Sequence, residues 1–130
     1  MSEKLIYLAS PYSNPNPAVS ERRFIAVCHY AADLMRAGYM VFSPIAHTHP
    51  IAKYGLPKDW AFWSRCDRVL LERCDELWVV QMDGWDTSIG VQAEIAIAKE
   101  LGKPVLYLEV NEHGLLRMPE RTSDDHAVDQ

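Results

Sequence analysis

Leu77-Trp78-Val79-Val80 is followed, after a turn over residues 81–87, by Ser88-Ile89-Gly90-Val91-Gln92-Ala93-Glu94. The first four residues are too continuously apolar for a strand with one face in water, so they predict a central strand covered on both sides. Ser88 is placed to cap a helix that runs to Leu101 and closes at Gly102. Strand, turn and capped helix form one unit of an alternating α/β chain.

Similar units precede and follow it. Leu5-Ile6-Tyr7-Leu8-Ala9 reads as a strand, and a Pro/Asn/Ser-rich loop over residues 10–16 ends at Asn16, an N-cap, with Pro17 in the first helical position. Phe24, Val27, Cys28, Ala31, Leu34 and Met35 recur at spacings of three and four before Gly38, predicting a helix of about five turns. Residues 39–42 read as a second strand, 45–58 as a loop, and 59–73 as a helix with Phe62, Cys66, Val69 and Leu70 turned inward. Residues 104–110 supply the last strand. The order β-α-β-α-β-α-β predicts a parallel sheet of four to five strands between helical layers, with its ligand site beyond the carboxyl ends of the strands. That rule selects residues 9–13, 43–49 and 81–88.

A chain of 130 residues is the size of one domain and can bury a core without metal or disulfide staples. The domain is expected over residues 1–110, with 111–130 as an arm that is partly mobile or used between subunits. Eighteen acidic against 13 basic side chains, a charge of −5, argue against a surface that neutralises nucleic-acid phosphates. The apolar runs are far shorter than the roughly 18–20 residues of a membrane helix. Three cysteines without a CxxC pair fit the reducing cytoplasm. The chain is therefore expected to be cytoplasmic and to act on a small molecule rather than on nucleic acid or membrane.

Within the selected positions, Ser88 and the first free amides of its helix make a ready anion site, and Gly90 lets a ligand approach the backbone. Glu94 lies nearly two turns into that helix, among Ala93, Ile95, Ala96 and Ile97. A carboxyl in that setting has its pKa raised unless a partner holds it ionised, and Tyr7 in the first strand is the obvious donor. The plainer alternatives are a Ser88 that only caps, a solvated Glu94 and a Tyr7 that only packs. Trp85, between Gly84 and the helix start, is expected at the cleft mouth as a base platform, with Trp60 and Trp63 as further candidates. His47 is expected in a base pocket. His47 and His49 alone are too few for zinc, so neither metal nor cofactor is expected. Asp75, just before the third strand, reads as a residue that fixes the start of that strand.

Ile6-Tyr7-Leu8-Ala9-Ser10-Pro11, Cys66-Asp67, Cys74-Asp75-Glu76-Leu77-Trp78-Val79-Val80 and Ser88 through Glu94, closing at Gly102-Lys103-Pro104-Val105, together resemble the nucleoside 2-deoxyribosyltransferase superfamily. The resemblance runs from about residue 4 to 109 and is nearest a short bacterial and phage branch. It implies a single-domain Rossmann- or flavodoxin-like three-layer α/β/α sandwich. It also implies Glu94 as nucleophile, Tyr7 as its orienting donor and Asp67 as the acid near the leaving base. Ser10, Ser88 and Gly90 would bind substrate.

Six residues before the glutamate, superfamily members acting on free nucleosides commonly carry Asp, whereas the deoxynucleoside 5′-monophosphate N-glycosidases carry Ser, as here at Ser88. The resemblance therefore implies cleavage of the N-glycosidic bond of a 2′-deoxynucleoside 5′-monophosphate. Deoxyribosyl transfer between bases and noncatalytic nucleotide binding are the alternatives. The arginine that the monophosphate enzymes carry in the first loop is replaced by Ser13, which leaves Arg22 or Arg23 to stand in. A homo-oligomer is implied as well, since superfamily sites commonly borrow a neighbour's C-terminal residues.

Overall fold

A computed structural model describes residues 3–119. Four strands, β1 (Leu5–Ala9), β2 (Met40–Phe42), β3 (Glu76–Val80) and β4 (Val105–Leu108), form one parallel sheet in the order β2-β1-β3-β4. Four helices of at least nine residues connect them: α1 (Pro17–Arg36), α2 (Pro44–Ala52), α3 (Trp60–Arg73) and α4 (Ile89–Glu100). This is the expected α/β architecture.

Alternation along β1 divides the core into two layers. Ile6 and Leu8 face α1 and pack with Val27, Tyr30, Ala31 and Leu34, while Tyr7 and Ala9 face α3 and α4 and pack with Leu71, Val91, Ile95 and Ala98. All five residues of β3 are buried, as expected of a central strand covered on both sides. Its one charged member, Glu76, is paired with Lys4 at 3.0 Å and accepts from the Trp78 indole at 3.0 Å. Asp75 does fix the strand start: its Oδ2 accepts from the Leu5 amide at 2.7 Å, and its own amide donates to the Leu5 carbonyl at 2.7 Å.

The Asn16 side chain caps α1 by accepting from the Ala18 amide, with Pro17 in the first turn. Gly38, at φ 101°, follows its C-cap in the left-handed conformation that a residue with a Cβ resists. Two expectations are corrected. Residues 45–58 are not all loop, because Ser43 caps α2 through the Ala46 amide at 3.1 Å and Pro44 opens it. On α3, Phe62, Val69 and Cys66 are exposed, and the buried positions are Asp67 and Leu71, continued by Cys74. The buried stripe runs 67, 71, 74 and begins with a carboxylate, which a search for apolar spacing passes over.

Of the expected C-terminal arm, residues 111–116 turn back onto the domain. Val110 bridges Leu116, and the Tyr30 hydroxyl donates to the Gly114 carbonyl at 2.8 Å. Residues 120–130 of that arm lie outside the described residues. Among the described residues, no helix is long and apolar enough to cross a membrane.

Candidate active site

A cleft of about 1100 Å³ lies beyond the carboxyl end of β1, where the sheet order reverses between β1 and β3. Its walls come from the β1–α1 loop, the start of α1, α2, α3 and the first turns of α4. Ser10, Asp67, Ser88, Gly90 and Glu94 all line it, and Tyr7 lies beneath, fully buried.

Glu94 occupies a position that packing would give to an aliphatic residue. The buried stripe of α4 is Val91, Glu94, Ile95 and Ala98, and Glu94 is only 5% exposed. The Tyr7 hydroxyl donates to Glu94 Oε2. Tyr7 can do so because the period of two along β1 aims it at the α4 face. Burial pushes the Glu94 carboxyl up to about 8; the Tyr7 hydrogen bond opposes the shift, and the charge of Asp67 adds to it. Burial also raises Asp67 to about 6 and lifts the Tyr7 phenol well above its ordinary range. Between those two carboxyl values the pair holds one proton and one negative charge. One carboxylate and one carboxylic acid in a shared cleft can perform nucleophilic and general-acid work together.

Ser88 caps α4, its Oγ accepting from the Val91 amide at 3.2 Å. Its hydroxyl proton stays available to a ligand beside the free amides of the first turn. A Cβ placed on Gly90 would meet Trp60 at 3.7 Å, an ordinary contact, so the protein itself tolerates a side chain there. The Ser10 hydroxyl is buried and has no hydrogen-bond partner among the described residues. Such a group normally finds one, and here the cleft offers the place for it.

Trp85 and His47 do not reach the cleft. Trp85 packs on Tyr107 with ring centroids 5.6 Å apart and against the Tyr7–Leu71 core. His47 is exposed and leans on Phe42 at 5.7 Å. Trp60 and Trp63 line the cleft instead. Arg22 is exposed, and Arg23 is a staple: Nη1 donates to the Ser13 carbonyl at 3.0 Å and the Tyr12 carbonyl at 3.4 Å, and Nη2 to the Asp83 carbonyl at 3.1 Å. Its guanidinium ties the loops after β1 and β3 together. Three residues that the motifs do not mark, Tyr12, Glu21 and His49, also line the cleft and bond to one another. They come from separate segments, and only the i, i+2 histidines gave any signal.

No curated protein matches the chain in sequence. Among solved structures, a 2-deoxyribosyltransferase from the psychrotolerant bacterium Bacillus psychrosaccharolyticus superposes with a TM-score of 0.60 at 24% identity, over 93% of this chain and 79% of that one. The likeness shows a shared fold. Residues 4–110 match the family model described as a domain of unknown function, DUF1937, and the chain belongs to that family.

Proposed function

We propose that the protein cleaves the N-glycosidic bond of 2′-deoxynucleoside 5′-monophosphates, with Glu94 as nucleophile, Tyr7 as its orienting donor and Asp67 as general acid. The observation that carries this reading is a buried carboxyl, bonded to a buried tyrosine, sharing one cleft with a second carboxyl of raised pKa. The fold shared with a 2-deoxyribosyltransferase supports it.

Glu94 attacks the sugar's anomeric carbon and forms an ester. The bond to the base breaks, its electron pair leaving with the base nitrogen, which takes the proton of Asp67. Positive charge developing on the sugar draws the negative charge of the pair to Glu94 and leaves the proton on Asp67. Water, giving its proton back to Asp67, then hydrolyses the ester to free 2-deoxyribose 5-phosphate. Ser88, Ser10 and the α4 amides hold the phosphate, with Gly90 leaving room for its approach. Asp83 and Asp86 are exposed and absent from the cleft lining, so their charge does not oppose an anion there. Trp60 and Trp63 offer surfaces on which the base can stack.

Transfer to a second base is the other reading, since a solved structure of like fold is a 2-deoxyribosyltransferase. The test is chromatography of bases released from the four common deoxynucleosides and their 5′-monophosphates, with and without an added second base. Release from monophosphates alone, unaffected by the added base, is expected. Release from nucleosides alone removes the phosphate assignment, formation of a new nucleoside or nucleotide establishes transfer, and no release from either set leaves only binding.

A further inference from the structure

His49 is 6% exposed and both of its ring nitrogens are engaged. Nε2 meets Glu21 Oε1 at 3.0 Å, and Nδ1 meets the Tyr12 hydroxyl at 2.6 Å. The ring stacks on Phe24 with centroids 4.1 Å apart, and the Tyr12 ring lies nearly perpendicular to it, at 80° with centroids 5.5 Å apart. Tyr12, Glu21 and His49 belong to the β1–α1 loop, α1 and α2, so three segments converge on one imidazole. All three line the cleft that holds Glu94 and Asp67. The reaction steps assigned above use none of them.

Hydrogen-bond polarity in this chain is determined from its far end. The Glu21 carboxylate can only accept, and it is held ionised by the His49 hydrogen bond first and by Lys53 at 3.6 Å as well. Nε2 therefore carries a proton. With His49 neutral, Nδ1 is an acceptor, the Tyr12 O–H points at it, and Tyr12 shows the cleft only oxygen lone pairs. One added proton reverses this: Nδ1–H donates to the Tyr12 oxygen, and the Tyr12 O–H swings free to donate into the cleft. Burial and Glu21 both raise the Tyr12 phenol, so the hydroxyl keeps its proton throughout. The groups facing the imidazole are Tyr12 from the loop and Glu21 from α1, with Lys53 behind Glu21. Lys58, Asp59, Asp67 and Glu94 complete the charged lining of the cleft.

We propose that Tyr12, positioned by His49 and Glu21, is a specificity determinant that selects a ligand bearing an oxyanion, its hydroxyl becoming a donor as His49 takes up a proton from solvent when the anion binds. This rests on the monophosphate reading above. A neutral nucleoside hydroxyl can donate to Tyr12 and needs no such proton. An anionic phosphate oxygen can only accept, so its binding is coupled to one proton.

The test combines calorimetry in two buffers of different ionisation enthalpy with ¹⁵N NMR of the histidine rings, all in a Glu94→Gln background so that the monophosphate is bound without being cleaved, His49 being assigned by its loss in His49→Gln. Each of the four common deoxynucleoside 5′-monophosphates and its nucleoside serves as probe. Proton uptake on binding of the monophosphate, and none with the nucleoside, is expected. Both ring nitrogens of His49 should be protonated only in the monophosphate complex. Tyr12→Phe should weaken monophosphate binding about 10- to 100-fold, abolish the uptake and weaken nucleoside binding no more than about fivefold, the loss of one neutral hydrogen bond. Glu21→Gln, which leaves Tyr12 in place, should also suppress the uptake. Monophosphate binding with His49 still neutral, or Tyr12→Phe binding both ligands as the wild type does, overturns the relay alone. A protein with Tyr12, Glu21 and His49 intact that binds nucleosides but no monophosphate, or neither, overturns the monophosphate reading and the relay with it.

Discussion

Replacing Glu94 with glutamine is expected to stabilise the protein at neutral pH while removing the proposed nucleophile. The carboxyl has an ordinary value of 4.5 and is pushed by burial to about 8 in the folded chain. A folded state that binds the proton more tightly than the unfolded state is favoured most at low pH. Its advantage is complete below about pH 4.5 and is lost as the pH rises through about 8. At pH 7, about 2.5 pH units above 4.5, the unfolded chain ionises freely while the folded one mostly does not. At about 1.4 kcal/mol per unit, the wild type is then about 3 kcal/mol less stable than in acid. Glutamine has the same shape, cannot ionise, and keeps an oxygen that accepts from Tyr7. Thermal unfolding from pH 4 to pH 8 should show Glu94→Gln ahead by about 10 °C at pH 7, with the gap closing toward pH 4. A variant no more stable than wild type at pH 7, or a gap that does not change with pH, would refute the claim that burial of this carboxyl carries the strain.

Base release against pH should be bell-shaped. The acid limb lies near 6, below which both carboxyls are protonated and the nucleophile is lost, and the alkaline limb near 8, above which both are ionised and the acid is lost. A profile flat from pH 5 to pH 9 would separate the pair from the chemistry. Tyr7→Phe removes the hydrogen bond that holds the Glu94 value down, so the alkaline limb should move upward and turnover fall about 10- to 100-fold; an unmoved limb in a pH–rate series would contradict this. Gly84 sits at φ +92°, and a Cβ there would lie 2.5 Å from Arg23 Nη2. Gly84→Ala should therefore cost about 1–3 kcal/mol in urea unfolding and loosen the Arg23 staple, whereas a neutral result would show that the loops do not need it.

Where a local signal is complete, the sequence is a good guide. Asn16-Pro17 opens α1 and Ser88 caps α4, because capping chemistry acts within three or four residues. The unbroken apolar run in β3 places it at the centre of the sheet. Ser43-Pro44 carries the same start signal as Asn16-Pro17, yet α2 reads as loop because Pro50 and the polar residues around it hide the period. The inward face of α3 is misplaced because Asp67, a carboxylate, stands where a search for apolar residues expects none. Glu94 escapes that fate because its neighbours are all small or apolar. Trp85 and His47 miss the cleft for a different reason. Each lies close to it along the chain, but where a side chain points depends on partners such as Tyr107 and Phe42 that are distant or silent in the sequence. The Tyr12–His49–Glu21 chain is tertiary altogether.

The central claim is that Glu94 forms the bond to the sugar. The most direct measurement compares base release from one deoxynucleoside 5′-monophosphate by the wild type and by Glu94→Ala, at equal concentration of folded protein. A loss of at least about 1000-fold in the variant is predicted, whereas equal release by the two proteins would contradict the claim.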